Sequence, residues 1–159
     1  MRRVVTLSPF LWFDDNAEEA LEFYASVFEN SEIVSVTSID DPSLPGGGFV
    51  IGTIRIENLE ITILNGGPIF SLNEAFSIFI SCDTQDEVDY FWKALSDGGE
   101  PGQCGWLKDR FGVSWQVIPT LLQELMGDPD PQRSARVREA MMRMTKIESD
   151  ELRAAYEGV

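Results

Sequence analysis

The chain has 159 residues, 12 Lys and Arg against 27 Asp and Glu, a formal net charge of −15, and no His. Without His it lacks the usual near-neutral general base and the commonest metal ligand, which excludes Ser-His-Asp and Cys-His catalysis and His-ligated zinc. The acidity argues against nucleic-acid and anionic-membrane partners, which are gripped by Lys and Arg, while 43% hydrophobic residues and 25% charged ones suit a folded domain with a real core.

Thr6–Phe13 is apolar and aromatic and reads as a strand. Asp14-Asp15-Asn16 then offers helix-capping chemistry, and Ala20, Leu21, Tyr24, Val27 and Phe28 fall on one face at helical spacing. Strands are predicted over Glu32–Ile39, Phe49–Ile56 and Leu59–Leu64, the last two joined by a tight turn at Glu57-Asn58. Asn65-Gly66-Gly67-Pro68 breaks the chain. The same order then returns: a strand over Ala75–Cys82, a cap at Asp83-Thr84, a helical stripe of Val88, Phe91, Trp92 and Leu95, and short strands around Gln103–Leu107 and Val113–Ile118 flanking a turn at Asp109–Gly112. A shift of about 68 residues lays Asp15 on Asp83, Glu19 on Glu87 and Tyr24 on Trp92, which points to an internal duplication.

After Pro119 the texture becomes helical. Leu121, Leu122, Leu125 and Met126 form one short amphipathic piece, Val137, Ala140, Met141 and Met144 a second, and Glu148–Tyr156 a third. Residues 131–159 hold 6 basic and 5 acidic side chains, whereas residues 1–130 hold 6 and 22. The Met-bearing stripe is expected to pack on its own domain. Cys82 and Cys104 form no C-x-x-C pair, and no apolar run approaches the ~20 residues that span a bilayer. A cytoplasmic protein with reduced thiols is expected.

The residues support a more specific reading. Leu11–Ala20 with Phe23-Tyr24, Leu64–Pro68 with Phe70 and Asn73-Glu74-Ala75, and Cys104–Asp109 with Phe111-Gly112 and Ser114-Trp115-Gln116 resemble the PhnB-like branch of the glyoxalase/bleomycin-resistance, or vicinal oxygen chelate, superfamily. That branch often carries a demethylubiquinone methyltransferase label. The resemblance implies an α+β fold of two βαβββ modules, here residues 4–66 and 74–119, with a helical tail over 120–157, all within a single domain. It also implies a homodimer with two-fold symmetry.

Metal-using members of the superfamily hold a divalent ion with side chains from the first and last strand of each module. The matching positions here are Pro9, Asn65, Ser77 and Gln116, an imino acid, two amides and a hydroxyl, so no metal and no other cofactor is expected. A methyltransferase needs a Gly-rich strand-to-helix loop for S-adenosylmethionine, and neither Gly46-Gly47-Gly48 nor Gly66-Gly67 precedes a predicted helix. The expectation is a metal-free small-molecule-binding protein with Trp12, Asn65, Phe79, Trp106 and Gln116 lining its cavities. The alternative is an enzyme of the glyoxalase or dioxygenase type with an atypical site, for which Glu74 is the candidate acid–base residue. Lys108-Asp109 reads as a solvated surface ion pair.

Overall fold

The computed structural model describes residues 1–159, which divide into two compact units, Met1–Leu72 and Asn73–Val159. The first holds β1 (Phe10–Phe13), α1 (Ala17–Val27), β2 (Ser31–Asp40), one 3-10 turn (Pro45–Gly47), β3 (Gly48–Ile56) and β4 (Leu59–Asn65). Its sheet runs β1-β4-β3-β2, with β1 parallel to β4 and the other pairs antiparallel. The second repeats the plan with β5 (Ser77–Cys82), α2 (Gln85–Ser96), β6 (Glu100–Pro101), β7 (Trp106–Lys108) and β8 (Ser114–Pro119), in the order β5-β8-β7-β6. Each unit thus carries the strand–helix–three-strand module, and the fold is α+β.

Alternation along the strands assigns each sheet a packed and an open face. In the first unit Leu11, Phe13, Ile54, Ile61 and Ile63 are buried together with Ala20, Leu21 and Tyr24 of α1. The helix lies so close that a Cβ on Gly52 would sit 2.2 Å from the Leu21 side chain. In the second unit Leu107, Trp115 and Val117 are buried, as are Val88 and Leu95 of α2. Thr84 caps α2 by accepting from the Glu87 amide at 3.2 Å, and the Glu87 side chain reaches back one residue beyond the cap to accept from the Asp83 amide at 2.9 Å.

The tail forms α3 (Thr120–Met126), α4 (Pro131–Met142) and α5 (Ser149–Glu157). Val137 and Met144 are buried with Ile118, Leu122, Ile147 and Leu152, and Ala140 and Met141 pack against them, so the predicted stripe is core of its own unit. The turn before β7 is tied to the tail: Cys104 and Gly105 donate their amides to the carbonyls of Met144 and Thr145 at 2.9 and 2.8 Å. No helix is long and apolar enough to cross a membrane.

Three local expectations change. The first strand begins at Phe10 rather than Thr6, because β4 supplies register partners only from Phe10 opposite Thr62 to Phe13 opposite Asn65. Asn16 occupies the cap position of α1 but makes no side-chain cap bond. Lys108 and Asp109 do not form a solvated pair, because Asp109 is only 3% exposed and bonds to its own turn.

Candidate functional site

The open face of the first sheet carries the larger cavity, about 810 Å³. Leu11 and Phe13 point into the core, so Phe10 and Trp12 fall on the other side, beside Leu64 of β4 and Phe49 and Ile51 of β3. The rim comes from the loop Leu44–Gly48 and from the segment 66–69 after β4. Trp12 is fixed from three directions. Its Nε1 donates to the Gly67 carbonyl at 2.9 Å, its ring meets Phe70 edge-on at 5.1 Å, and Gly66 leaves it room, since a Cβ there would lie 2.3 Å from the indole. The charged side chains lining this cavity are carboxylates: Asp14, Asp15 and Asp40.

Asn65 also lines the cavity, but its side-chain oxygen is committed elsewhere. Its register partner is Phe13, on the packed face, and Oδ1 accepts from the Ala17 amide at 2.7 Å. Asn65 therefore caps α1 in place of Asn16, satisfying one of the orphan donors at the helix start.

On the second sheet two rows of side chains cross the open face. Phe79, Gln116 and Trp106 are register partners in one, and Ser77, Ser114, Lys108 and Glu100 in the other. Gln116 Nε2 donates to Ser77 Oγ at 3.0 Å. A cleft of about 140 Å³ includes Glu74, Glu100, Trp106, Lys108 and Ser114 in its wall. Lys108 donates to Glu74, and this hydrogen bond holds the Glu74 carboxyl below the usual carboxylate range while raising the lysine. Both groups stay charged around neutrality. The raised carboxyl pKa that an acid–base role for Glu74 requires is therefore not found.

Of the six residues singled out in the sequence, Trp12 and Asn65 share the first unit's cavity, and Glu74 and Trp106 share the second unit's cleft. Phe79 and Gln116 are neighbours on the second sheet's open face and line neither. Strand alternation about Trp12 could have added Phe10. Asp40, at the end of β2, and Ser114, beside a buried tryptophan, gave no signal of their own.

Comparisons by family and by structure place this geometry among known proteins. A family model described as 3-demethylubiquinone-9 3-methyltransferase matches residues 5–118. The chain belongs to this family. The family lies within the glyoxalase/vicinal oxygen chelate superfamily, and a PhnB protein of Bacillus cereus with the same methyltransferase description is 31% identical, over 72% of this chain and 99% of that one, with a TM-score of 0.64. A Pseudomonas aeruginosa protein (19% identity, 73% and 98% covered, TM-score 0.58) shares the fold. So does the fosfomycin resistance protein FosX of Listeria monocytogenes with Mn(II) and sulfate (16%, 71% and 90%, TM-score 0.50). No curated protein matches the chain. The helical tail lies beyond the family match.

Two groups implied by the superfamily or the family's label can be tested against the residues. For a divalent ion, the Asn65 oxygen is engaged by Ala17, Ser77 and Gln116 bond to each other, Pro9 has no side-chain donor, and no cluster of three Cys, Asp or Glu stands ready. This donor set does not fit a dication. For S-adenosylmethionine, Gly46 and Gly47 form a 3-10 turn that enters β3, and Gly66 and Gly67 leave β4 for a loop, so neither pair opens a helix. The cradle does not fit either.

Proposed function

We propose that this family member is a small-molecule-binding protein that works without a bound metal, and that its ligand occupies the cavity of the first unit. One observation carries the reading: about 810 Å³ of space walled by Phe10, Trp12, Phe49, Ile51 and Leu64, with the indole held in place. A cavity of that size suits a drug-sized, largely apolar or planar compound. Because the charged lining is carboxylate, a neutral or cationic ligand is favoured over an anion. Methyl transfer and metal-assisted chemistry are not part of the reading, since neither cofactor finds its donors. An acid–base enzyme is disfavoured by the ionised, half-exposed Glu74 pair.

The test uses two aromatic probes on the full chain. Proflavine, a planar cation, should bind saturably, and 1-anilinonaphthalene-8-sulfonate, an anion, more weakly. Trp12→Ala should abolish proflavine binding, and Asp40→Asn should weaken it. Proflavine binding equally well to Trp12→Ala would remove the reading.

The second element of the proposal is a homodimer. β2 forms one edge of the first sheet and leaves Ile33, Val34, Val36 and Ile39 exposed, an apolar edge of the kind that a second copy can cover. Sedimentation at micromolar concentration should give a dimer, and Val36→Lys should give monomer; a monomeric wild type would overturn it.

A further inference from the structure

We propose that the cleft of the second unit is a separate binding site for a compact ammonium compound of amino-alcohol or small amino-acid size, received by Ser114, Lys108, Glu74 and Glu100. The starting point is Ser114. It is 2% exposed, and its Oγ is buried with no hydrogen-bond partner. Buried hydroxyls are almost always satisfied, so an orphan one marks a place where a partner is missing. Trp115 faces the core, where its Nε1 reaches Asp109, which turns Ser114 to the open face beside its register partner Lys108. Ser114 lines the cleft together with the Lys108–Glu74 pair.

The class of ligand follows from charge and size. Lys108 is balanced by Glu74, and Glu100, its register partner across β6 and β7, adds a second carboxylate. The cleft therefore carries one net negative charge, which an ammonium group complements. Ser114 Oγ and the remaining Lys108 N–H groups then await a ligand oxygen. Trp106 supplies an aromatic wall, which a cation tolerates well. About 140 Å³ equals four to five water volumes at ~30 Å³ each, room for roughly five heavy atoms. The aromatic ligand of the first unit would not fit here, so the two sites are distinguishable by size.

The experiment titrates ethanolamine, glycine and acetate at millimolar concentration into the full-length protein, followed by amide and indole NMR shifts. Ethanolamine or glycine should give saturable shifts at Gly102, Trp106 and Ser114, and acetate none. Ser114→Ala should weaken the binding about tenfold, the share of one hydrogen bond to a charged or polar partner, while leaving the melting temperature and proflavine binding unchanged. Glu100→Gln, a second variant at an exposed position, removes the net negative charge and should weaken it as well. The proposal fails if no probe shifts these resonances, if acetate alone does, or if Ser114→Ala binds as the parent does. A crystal structure in which only an ordered water sits on Ser114 Oγ in the presence of ethanolamine would also overturn it.

Discussion

Gln116 donates a hydrogen bond to Ser77 across the parallel β5–β8 pair, at 3.0 Å. These are the two positions from which metal-using relatives would be expected to offer ligands in the second module, and here each satisfies the other. A neutral amide and a hydroxyl carry no charge to offset the dehydration of a dication. Titration with Mn(II), Zn(II) or Mg(II), and treatment with EDTA, should therefore leave the melting temperature unchanged to within a degree. An ion-specific rise that is lost in Gln116→Ala would show that the pair opens to bind metal.

The buried carboxylate of Asp109 organises the β7–β8 turn. Oδ1 accepts from the amides of Phe111 and Val113 at 2.9 and 3.0 Å, and Oδ2 accepts from Trp115 Nε1 at 2.9 Å. Asp109→Ala strands three donors, two of them buried, and should cost about 3 kcal/mol, at 1–3 kcal/mol for each unsatisfied buried group with partial relaxation. For a chain of this length that corresponds to a fall of about 6–12 °C in melting temperature. Asp109→Asn should recover only part of the loss, because an amide that accepts from the turn turns its NH2 group toward the Trp115 donor.

How far the sequence could be read follows from the range of each interaction. The duplicated module rests on local signals: the apolar stripes of α1 and α2, the Thr84 cap, and the Glu57-Asn58 turn, which all lie where expected. The misreadings involve partners distant in the chain. Asn16 has the right chemistry to cap α1, yet the bond comes from Asn65, 48 residues away. Lys108 has an acid next to it, yet its partner is Glu74, 34 residues away. Asp109 lies just past the end of β7 and turns its carboxylate inward to the Phe111 and Val113 amides and the Trp115 indole, away from Lys108 on the open face. The site residues were legible as types and not as a set: Trp12 follows from alternation, whereas the solitary state of the Ser114 hydroxyl depends on everything packed around it.

The tail should detach first in acid. Lys146 bridges Asp89 of α2 at 2.6 Å and Glu148 at 3.3 Å, and Gln85 joins the same anchor by donating to the Ile147 carbonyl and accepting from the Ser149 amide. The hydrogen bond from Lys146, with a smaller one from Gln85, holds Asp89 below its ordinary value of 3.8. A carboxyl depressed in the folded state stabilises it fully above the unfolded value, and that contribution disappears as pH falls through the lower, folded one. Lys146 is raised above 10.5, so its contribution is complete below that value and is lost as pH rises past the folded one. Between these limits the anchor is at full strength. Below about pH 4, hydrogen exchange at the Cys104 and Gly105 amides, which bond to the tail carbonyls, should accelerate before the α1 amides do. Asp89→Asn should remove that early step; simultaneous exchange in the parent protein would refute it.

The two thiols should differ sharply in reactivity. Cys82 is buried, and its pKa is pushed up to about 12 by burial, with Glu87 and Asp83 adding to the effect. At pH 8 almost none of it is thiolate, the nucleophilic form. Cys104 is partly exposed on the turn before β7. A disulfide-exchange reagent should modify Cys104 readily in the native protein and Cys82 only after unfolding, and Cys104→Ser should abolish the native reaction. Rapid native labelling of Cys82 would mean that the second sheet opens without denaturant.

Gly66 gives the sharpest test of the pinned indole. An Ala Cβ there would lie 2.3 Å from Trp12 Cζ2 and 2.4 Å from Cε2, well inside contact distance and against a rigid ring. The indole must swing away, which breaks its bond to the Gly67 carbonyl and its edge contact with Phe70. Trp12 lies on the open face, so the packed core of Leu11, Phe13, Ile61 and Ile63 need not follow. Gly66→Ala should therefore shift the tryptophan emission and weaken proflavine binding by about tenfold, near 1.4 kcal/mol. Its melting temperature should change by less than that of Asp109→Ala. If binding survives intact while the emission moves, the ring would be a bystander, and the cavity would hold its ligand through β3 and the Leu44–Gly48 rim instead.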